Sequence, residues 1–247
     1  MPKNINSASR IVSLIKAIPS HPDNTQTMEV WASLFQVPER SPQRRSFVVS
    51  ERLGAMYREL DIVRSQMTAK NFSEELYASA IAQLEAAFST MSLHTSWPNV
   101  RQHLTAETLV AMAFCGEIID NEEDLISAEE LTEIENKVQD LEQSLEGSTL
   151  PPRLKSLIQH HIDLIRKALA EYPIVGARSL RQAARTALGE IVEVREEISA
   201  HPDAPEIANL GSVWKRVNSA ADLALKADKL VQLGQKAWDV VGGFLPS

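Results

Sequence analysis

The sequence predicts an all-α protein, a bundle-like single domain of about eight or nine helices with antiparallel neighbours. Apolar residues recur every three or four positions between the prolines, which is the spacing of amphipathic helices. No segment of useful length alternates apolar and polar residues as a half-buried strand would. Only 9 of the 247 residues are glycine, which disfavours glycine-rich β barrels and glycine-loop nucleotide folds.

Four helices are predicted in the first part of the chain. The first ends before Pro19, because proline lacks the N–H that a helix interior needs. Ser73 is a candidate N-cap for the fourth. The third repeats apolar residues at spacings of four and three, which is typical of bundle packing. The four ranges are Ser7–Ala17, Thr27–Gln36, Gln43–Ala69 and Ser73–Ser92, and the repeat comprises Val49, Leu53, Met56, Leu60, Val63 and Met67.

Five helices are predicted in the rest of the chain. Ser127 and Glu130 have the spacing of a capping box ahead of an apolar repeat. Pro152 favours a helix start, because proline is preferred in the first turn. Pro173 is expected to end that helix. The five ranges are Thr105–Ile119, Ser127–Leu145, Pro152–Tyr172, Ala177–Ser199 and a last helix from about Pro205 to Val241.

The chain is expected to fold as one domain over residues 1–247, because no linker is long enough to demand two; residues 147–152 are the best candidate for a seam. The single cysteine, Cys115, excludes an internal disulfide and fits a reducing compartment. The longest apolar run, Leu109–Gly116, is far shorter than the ~20 residues that span a bilayer. With no signal-peptide pattern at Met1, these features predict a cytoplasmic protein.

The charge distribution argues against a nucleic-acid partner. The net charge is −8 and the isoelectric point about 5.3, whereas nucleic-acid binding favours a basic chain. The segment Glu117–Glu146 has twelve acidic residues and one basic residue, so it carries −11 and the remainder carries +3. One acidic helix therefore interrupts a nearly neutral sequence.

No motif for a metal, a cofactor or a catalytic nucleophile occurs. An E-x-x-H pair, as in two-metal bundles, is absent, as are G-x-S-x-G and the glycine-rich phosphate loops. His161 is expected to pack in the core and His160 to face solvent. The apolar neighbours of Cys115 are expected to raise the pKa of its thiol. The sequence therefore leans against an enzyme.

One spacing offers a catalytic alternative. Arg195 and His201 are separated by five residues near a predicted helix end. The pair is similar to the R-x(4–6)-H signature of HEPN-type helical ribonucleases. That resemblance implies cleavage of RNA in a dimer cleft. Such a match is also expected by chance in a chain with this many arginines, and a surface arginine with a turn histidine is the other interpretation.

Two surfaces are candidates for binding a partner. Arg178, Arg181 and Arg185 share one flank of a predicted helix, where they could hold an anion or pair with the acidic helix of this chain or of another copy. The last helix separates an apolar side from a polar side. The apolar side could dock on its own bundle, on a partner or on a membrane surface. Its central residues are Leu230, Leu233, Trp238, Val241 and Phe244.

These observations lead to an expected function that is not catalytic. The protein is expected to be an intracellular helical interaction or regulatory protein that associates with itself or with another protein. It would act through the amphipathic C-terminal helix and the acidic helix. The alternatives are a HEPN-like ribonuclease that uses Arg195 and His201, and an effector that binds membranes through its last helix; the mixed lysine and aspartate side disfavours the membrane.

Overall fold

A computed structural model describes residues 4–38 and 41–225 of the chain. Within these residues 74% are helical, eleven α-helices are present and no strand forms. Nine of the helices have seven or more residues, so the predicted all-α fold class and helix number are confirmed.

The described residues form two compact units. The first contains the chain up to Glu122 together with Pro173–Val175, and the second contains Glu123–Tyr172 and the chain from Gly176 onward. The candidate seam at 147–152 lies inside the second unit. That the whole chain folds as one domain stays a prediction.

The first unit is built on a long helix whose apolar stripe is fully buried. Every residue of the repeat from Val49 to Met67 lies in the core, as the sequence predicts. Its helices are α1 (Ser7–Lys16), α2 (Thr27–Leu34), α3 (Pro42–Ala69), α4 (Ala78–Ala87), α5 (Pro98–Arg101) and α6 (Ala106–Ile118), with 3-10 turns at Glu74–Leu76 and Thr90–Ser92.

Helix α6 is held between α1 and α4. Asn6 caps α1 by accepting a hydrogen bond from the Ser9 N–H at 3.0 Å. The amide of the same side chain donates to the Gly116 and Ile119 carbonyl oxygens at 2.9 and 3.1 Å. One buried asparagine therefore satisfies the start of α1 and the end of α6 together, which fixes the position of α6.

The second unit packs five helices around Trp214, whose side chain is fully buried. The helix α11 contacts both α7 and α9. Ser127 and Glu130 form the predicted capping box, since each side chain accepts from the backbone N–H of the other. The helices are α7 (Ala128–Leu145), α8 (Pro152–Val175), α9 (Arg178–Glu193), α10 (Arg195–Ser199) and α11 (Pro205–Ala224).

Three predicted helix boundaries are wrong. Helix α8 continues through Pro173 to Val175 and stops at Gly176, because a proline so near the end removes only one helical hydrogen bond. Ser73 gives no side-chain cap and precedes a 3-10 turn. The predicted helix from Ala177 to Ser199 breaks at Val194, where φ is −107° and ψ is 14°.

Candidate functional site

The helix α6 exposes apolar side chains on the face opposite its core contacts. Met112 and Cys115 are fully buried, whereas Val110 is 69% and Phe114 is 42% exposed. A helix that is apolar on all sides is normally covered on all sides. One face of α6 is therefore available to bind another apolar surface.

A groove forms between this face and the 3-10 turn at Glu74–Leu76. The groove has a volume of about 550 Å³, and Leu76, 55% exposed, forms its other wall. Phe72 packs edge-on against Phe114 with 6.2 Å between the ring centroids, which supports the floor at one end. We call this the α6 groove; it is lined by Leu76, Ala106, Glu107, Val110, Ala111 and Phe114.

A second, more polar hollow of about 340 Å³ adjoins the α6 groove. The two share Leu76, Glu107 and Ala111. The wall on the α4 side contributes Ser79 and Gln83, which offer hydroxyl and amide groups. Together the hollows form a continuous cleft, apolar at one end and polar at the other.

Exposed carboxylates lie on both elements that form the α6 groove, and one of them, Glu107, lines it. Glu74 and Glu75 lie on the same turn as Leu76, and Glu117 lies two helical turns after Val110 on the same face. Hydrogen bonds from its own backbone N–H and from the Thr105 hydroxyl lower the pKa of Glu107. Among the residues that the structure describes, none of these four carboxylates pairs with a basic side chain. The groove therefore offers an apolar floor with a negative rim.

This arrangement suits an amphipathic helix. Helix-in-groove recognition places apolar residues at positions i, i+3 or i+4 and i+7 into such a floor. A negative rim favours basic flanking residues and selects against acidic ones. Sequence reasoning did not single out Leu76, Val110 or Phe114. The signal was the apolar run Leu109–Gly116, because eight such residues on one helix cannot all face the same core.

A buried histidine cluster lies in the second unit. The Trp214 Nε1–H donates to His161 Nδ1 at 3.0 Å, so Nε2 carries the ring proton and donates to Glu190 Oε2 at 2.9 Å. Burial lowers the pKa of His161 to about 4, although Glu190 opposes this. His160, on the exposed side, lies 3.3 Å from the other oxygen of Glu190. The predicted burial of His161 and exposure of His160 are confirmed; both nitrogens of the His161 ring are used by the protein itself.

Cys115 and Arg10 are reactive or charged residues that are buried inside the first unit. Burial raises the pKa of the Cys115 thiol to about 11, as expected from its apolar neighbours. In the first unit, the buried Arg10 Nη2 lies 3.0 Å from Glu59 and 2.7 Å from Glu122. In the described part of the chain, no group of three or more histidines, cysteines and acidic residues could hold a metal ion.

The arginine flank is only partly open. Arg178 and Arg181 are half-buried, and Arg185 is exposed. Arg181 pairs with Asp222 of α11, and burial raises the pKa of that carboxyl although Arg181 opposes the shift. Arg181, one of the three predicted interaction arginines, is therefore engaged inside its own unit.

The acidic helix α7 pairs with arginines other than those three. Glu142 accepts two hydrogen bonds of 2.7 Å from Arg166, which lowers the pKa of its carboxyl. Arg216 lies 2.7 Å from Glu133 and 3.5 Å from Glu130. Part of the acidic charge is thus compensated by α8 and α11 of the same unit.

The structure places Arg195 at the start of the short helix α10 and His201 just after its end. Arg195 is the exposed first residue of this helix. His201 is half-buried, and its Nδ1–H donates to the Glu197 carbonyl oxygen at 3.0 Å. A catalytic role for this pair stays a prediction.

The predicted apolar face of the last helix is described only at its beginning. Leu230, Leu233, Trp238, Val241 and Phe244 lie outside the described residues. Leu223, in the last turn of α11, is 66% exposed.

Across residues 4–38 and 41–225, every helix is too short or too polar to cross a membrane. Comparison with protein-family models, with curated proteins and with solved structures gives no match.

Proposed function

We propose that this protein is a non-catalytic interaction protein that binds an amphipathic helix in the α6 groove. The observation that carries this proposal is the exposure of Val110 and Phe114 beside Leu76, inside a rim of carboxylates. Apolar floor and negative rim together favour a helix with an apolar stripe and lysine or arginine at its flanks.

The physical driving force is the removal of the groove's apolar surface from water. Fully burying a side chain of this size contributes about 1.5–3 kcal/mol. Leu76, Val110 and Phe114 are already partly covered, so their shares are smaller, and ordering a peptide opposes binding. We therefore expect reversible binding whose affinity falls as salt screens the carboxylate rim.

A panel of synthetic helical peptides tests the proposal. Each peptide carries the same apolar stripe, with either lysine or glutamate at the remaining exposed positions. We expect the full-length protein to bind the lysine series, measured by fluorescence anisotropy, and to bind the glutamate series far more weakly. Added salt should weaken the lysine series.

A matched pair of variants locates the binding. Val110→Glu places a charge on the groove floor and should abolish peptide binding. Met91→Glu introduces the same charge at a residue that is 89% exposed and does not line the groove, so it should leave binding unchanged. Binding that survives Val110→Glu, or a failure of every peptide to bind, would contradict the proposal.

An RNA cleavage assay distinguishes the ribonuclease alternative from this proposal. Purified protein should not cleave generic RNA in a manner that depends on Arg195 or His201. A reproducible cleavage that His201→Ala abolishes, with helix content unchanged, would favour the HEPN-like alternative over a binding function.

A further inference from the structure

We infer that the helix which occupies the α6 groove is the C-terminal segment, residues 226–247, of a second copy of this chain. This inference rests on the proposed function and names the partner of the same site. It joins two apolar surfaces of the chain, the groove floor and the stripe that begins at Leu223.

The exposure of Leu223 gives the direction of the stripe. At the end of α11, Val217, Ala221 and Ala224 are buried, whereas Leu223 faces outward. Positions seven residues apart share a helix face. Continued at this period, the face of Leu223 carries Leu230, Ala237 and Phe244, and Trp238 and Val241 lie close to it.

This direction favours a second copy as the partner. Leu223, near the end of the described chain, faces outward and away from the core of its own unit. Leaving the large side chains of the stripe in water would create an apolar patch of a size that is rare on stable monomers. We infer that a second copy covers it.

The chemistry of the segment matches the groove. Lys226, Lys229 and Lys236 outnumber Asp228 and Asp239, so the segment has a positive balance. The groove is lined by Glu107, and Glu74, Glu75 and Glu117 lie on the same two elements. Opposite charges at the rim fix orientation and partner choice more than they add affinity.

The length of the segment is also sufficient. As a helix, its residues would extend about 33 Å, whereas α6 extends about 20 Å, at 1.5 Å per residue. The apolar positions from Leu230 to Phe244 alone are enough to run along the whole of α6. We therefore expect association of copies in which each contact pairs one segment with one groove.

The decisive experiment mixes two full-length charge variants. Val110→Glu damages the groove and keeps the segment, and Trp238→Asp damages the segment and keeps the groove. Wild type should associate in a concentration-dependent manner in sedimentation velocity, and each variant alone should be monomeric. An equimolar mixture should form a one-to-one heterodimer, because one intact groove and one intact segment remain.

Two control variants show that charge alone is not responsible. Met91→Glu and Gln235→Asp lie outside the groove and on the polar side of the segment, and both should associate like wild type. Circular dichroism should give the same helix content for all four variants. If Trp238→Asp loses helix, Val241→Asp replaces it. This variant should also be monomeric alone and should form the same heterodimer with Val110→Glu.

Three results would overturn the inference. Wild type that is monomeric at every concentration shows that copies do not associate through these surfaces. Association of Trp238→Asp on its own excludes the segment. A mixture that stays monomeric excludes pairing of segment with groove. In each case, binding of the lysine peptides to the groove would show that the proposed function survives without this partner.

Discussion

Two hydrogen bonds fix the protonation state of His161, because one nitrogen of its ring must accept and the other must donate. Trp214 can only donate, so Nδ1 must accept, and Glu190 accepts from Nε2. A second ring proton would place two donors face to face in a dry site. Burial adds to this, and the pKa of His161 falls to about 4 from its ordinary 6.5.

We therefore predict that the free energy of unfolding decreases in mild acid. The unfolded chain binds a proton at His161 near pH 6.5, whereas the folded chain resists until about pH 4. The contribution of His161 is complete above pH 6.5 and is lost as the pH falls towards 4, with a total on the order of 3 kcal/mol. Urea unfolding at a series of pH values measures it.

His161→Gln is the informative variant for this test, because an amide can accept from Trp214 and donate to Glu190 without titrating. Its pH dependence between 6.5 and 4 should be clearly shallower than that of wild type. His160→Gln, at an exposed position, should keep most of the dependence. Equal slopes for wild type and His161→Gln would show that other groups control the acid response.

Cys115 should be protected from thiol reagents in the folded protein. Its side chain is fully buried and the pKa of the thiol is raised to about 11 from 9.0. At pH 8 that shift alone reduces the thiolate fraction about a hundredfold. Reaction with a chromogenic disulfide should therefore be at least that much slower in buffer than in urea; rapid reaction in buffer would show that the site opens easily.

Residues with an apolar sequence environment were predictable, and residues on exposed apolar surface were not. The apolar neighbours of Cys115 and the inward position of His161 follow from local sequence. Val110 and Phe114 lie in the same apolar run as Cys115, and only the packing of α1 and α4 on α6 decides which side stays open. That choice depends on tertiary contacts, which a helical period does not encode.

The start of helix α9 depends on one glycine and one buried glutamate. Glu123 Oε2 accepts from the Ala177 N–H at 2.7 Å, so a carboxylate sits at the positive end of this helix. Gly176 has φ of 68° and ψ of −159°, a conformation almost restricted to glycine. A Cβ there would lie 2.0 Å from Glu123 Oε1.

Gly176→Ala is accordingly predicted to destabilise the protein by more than about 2 kcal/mol, from backbone strain and from displacement of the Glu123 carboxylate. The matched control is Gly189→Ala in α9, where a new Cβ meets nothing within 4 Å. That change should stabilise the helix by about 0.5–1 kcal/mol. Thermal or urea unfolding of the two variants should give shifts of opposite sign.

Helix existence was more predictable than helix ends. The capping box at Ser127 has a local signature, and the structure forms it. The break at Val194 has none, because no proline or glycine marks it. Glu123 lies in the acidic turn at residues 120–124 between α6 and α7, and its use as a cap for a helix far along the chain depends on the tertiary fold.

The tertiary contacts separate into two compact units, and the chain passes from one unit to the other near Glu122 and again around Pro173–Val175. No long polar linker lies at either position. The sequence expectation of one domain therefore predicts a single cooperative thermal transition. Calorimetric and van't Hoff enthalpies should then agree; two resolved transitions would show instead that the units unfold separately.

Some of the candidate interaction surfaces could be predicted from the sequence, and others could not. The arginine flank of α9 was visible in the sequence, yet the pairing of Arg181 with Asp222 required the fold. The C-terminal stripe, including Leu230 and Trp238, remains a prediction that the mixing experiment tests. The α6 groove combines a turn and a helix that are distant in sequence, so no single motif could have revealed it.

The fit between Glu123 and Gly176 also constrains how the sequence can diverge. A side chain at position 176 is sterically compatible only with a shorter residue at 123, and a shorter residue at 123 leaves the N–H of Ala177, the N-cap of α9, without its carboxylate. Homologues should therefore change these two positions together or not at all. A glutamate in the acidic turn, paired with a glycine directly after the helix that contains an internal proline, would be an inherited signature by which distant relatives of this chain can be recognised.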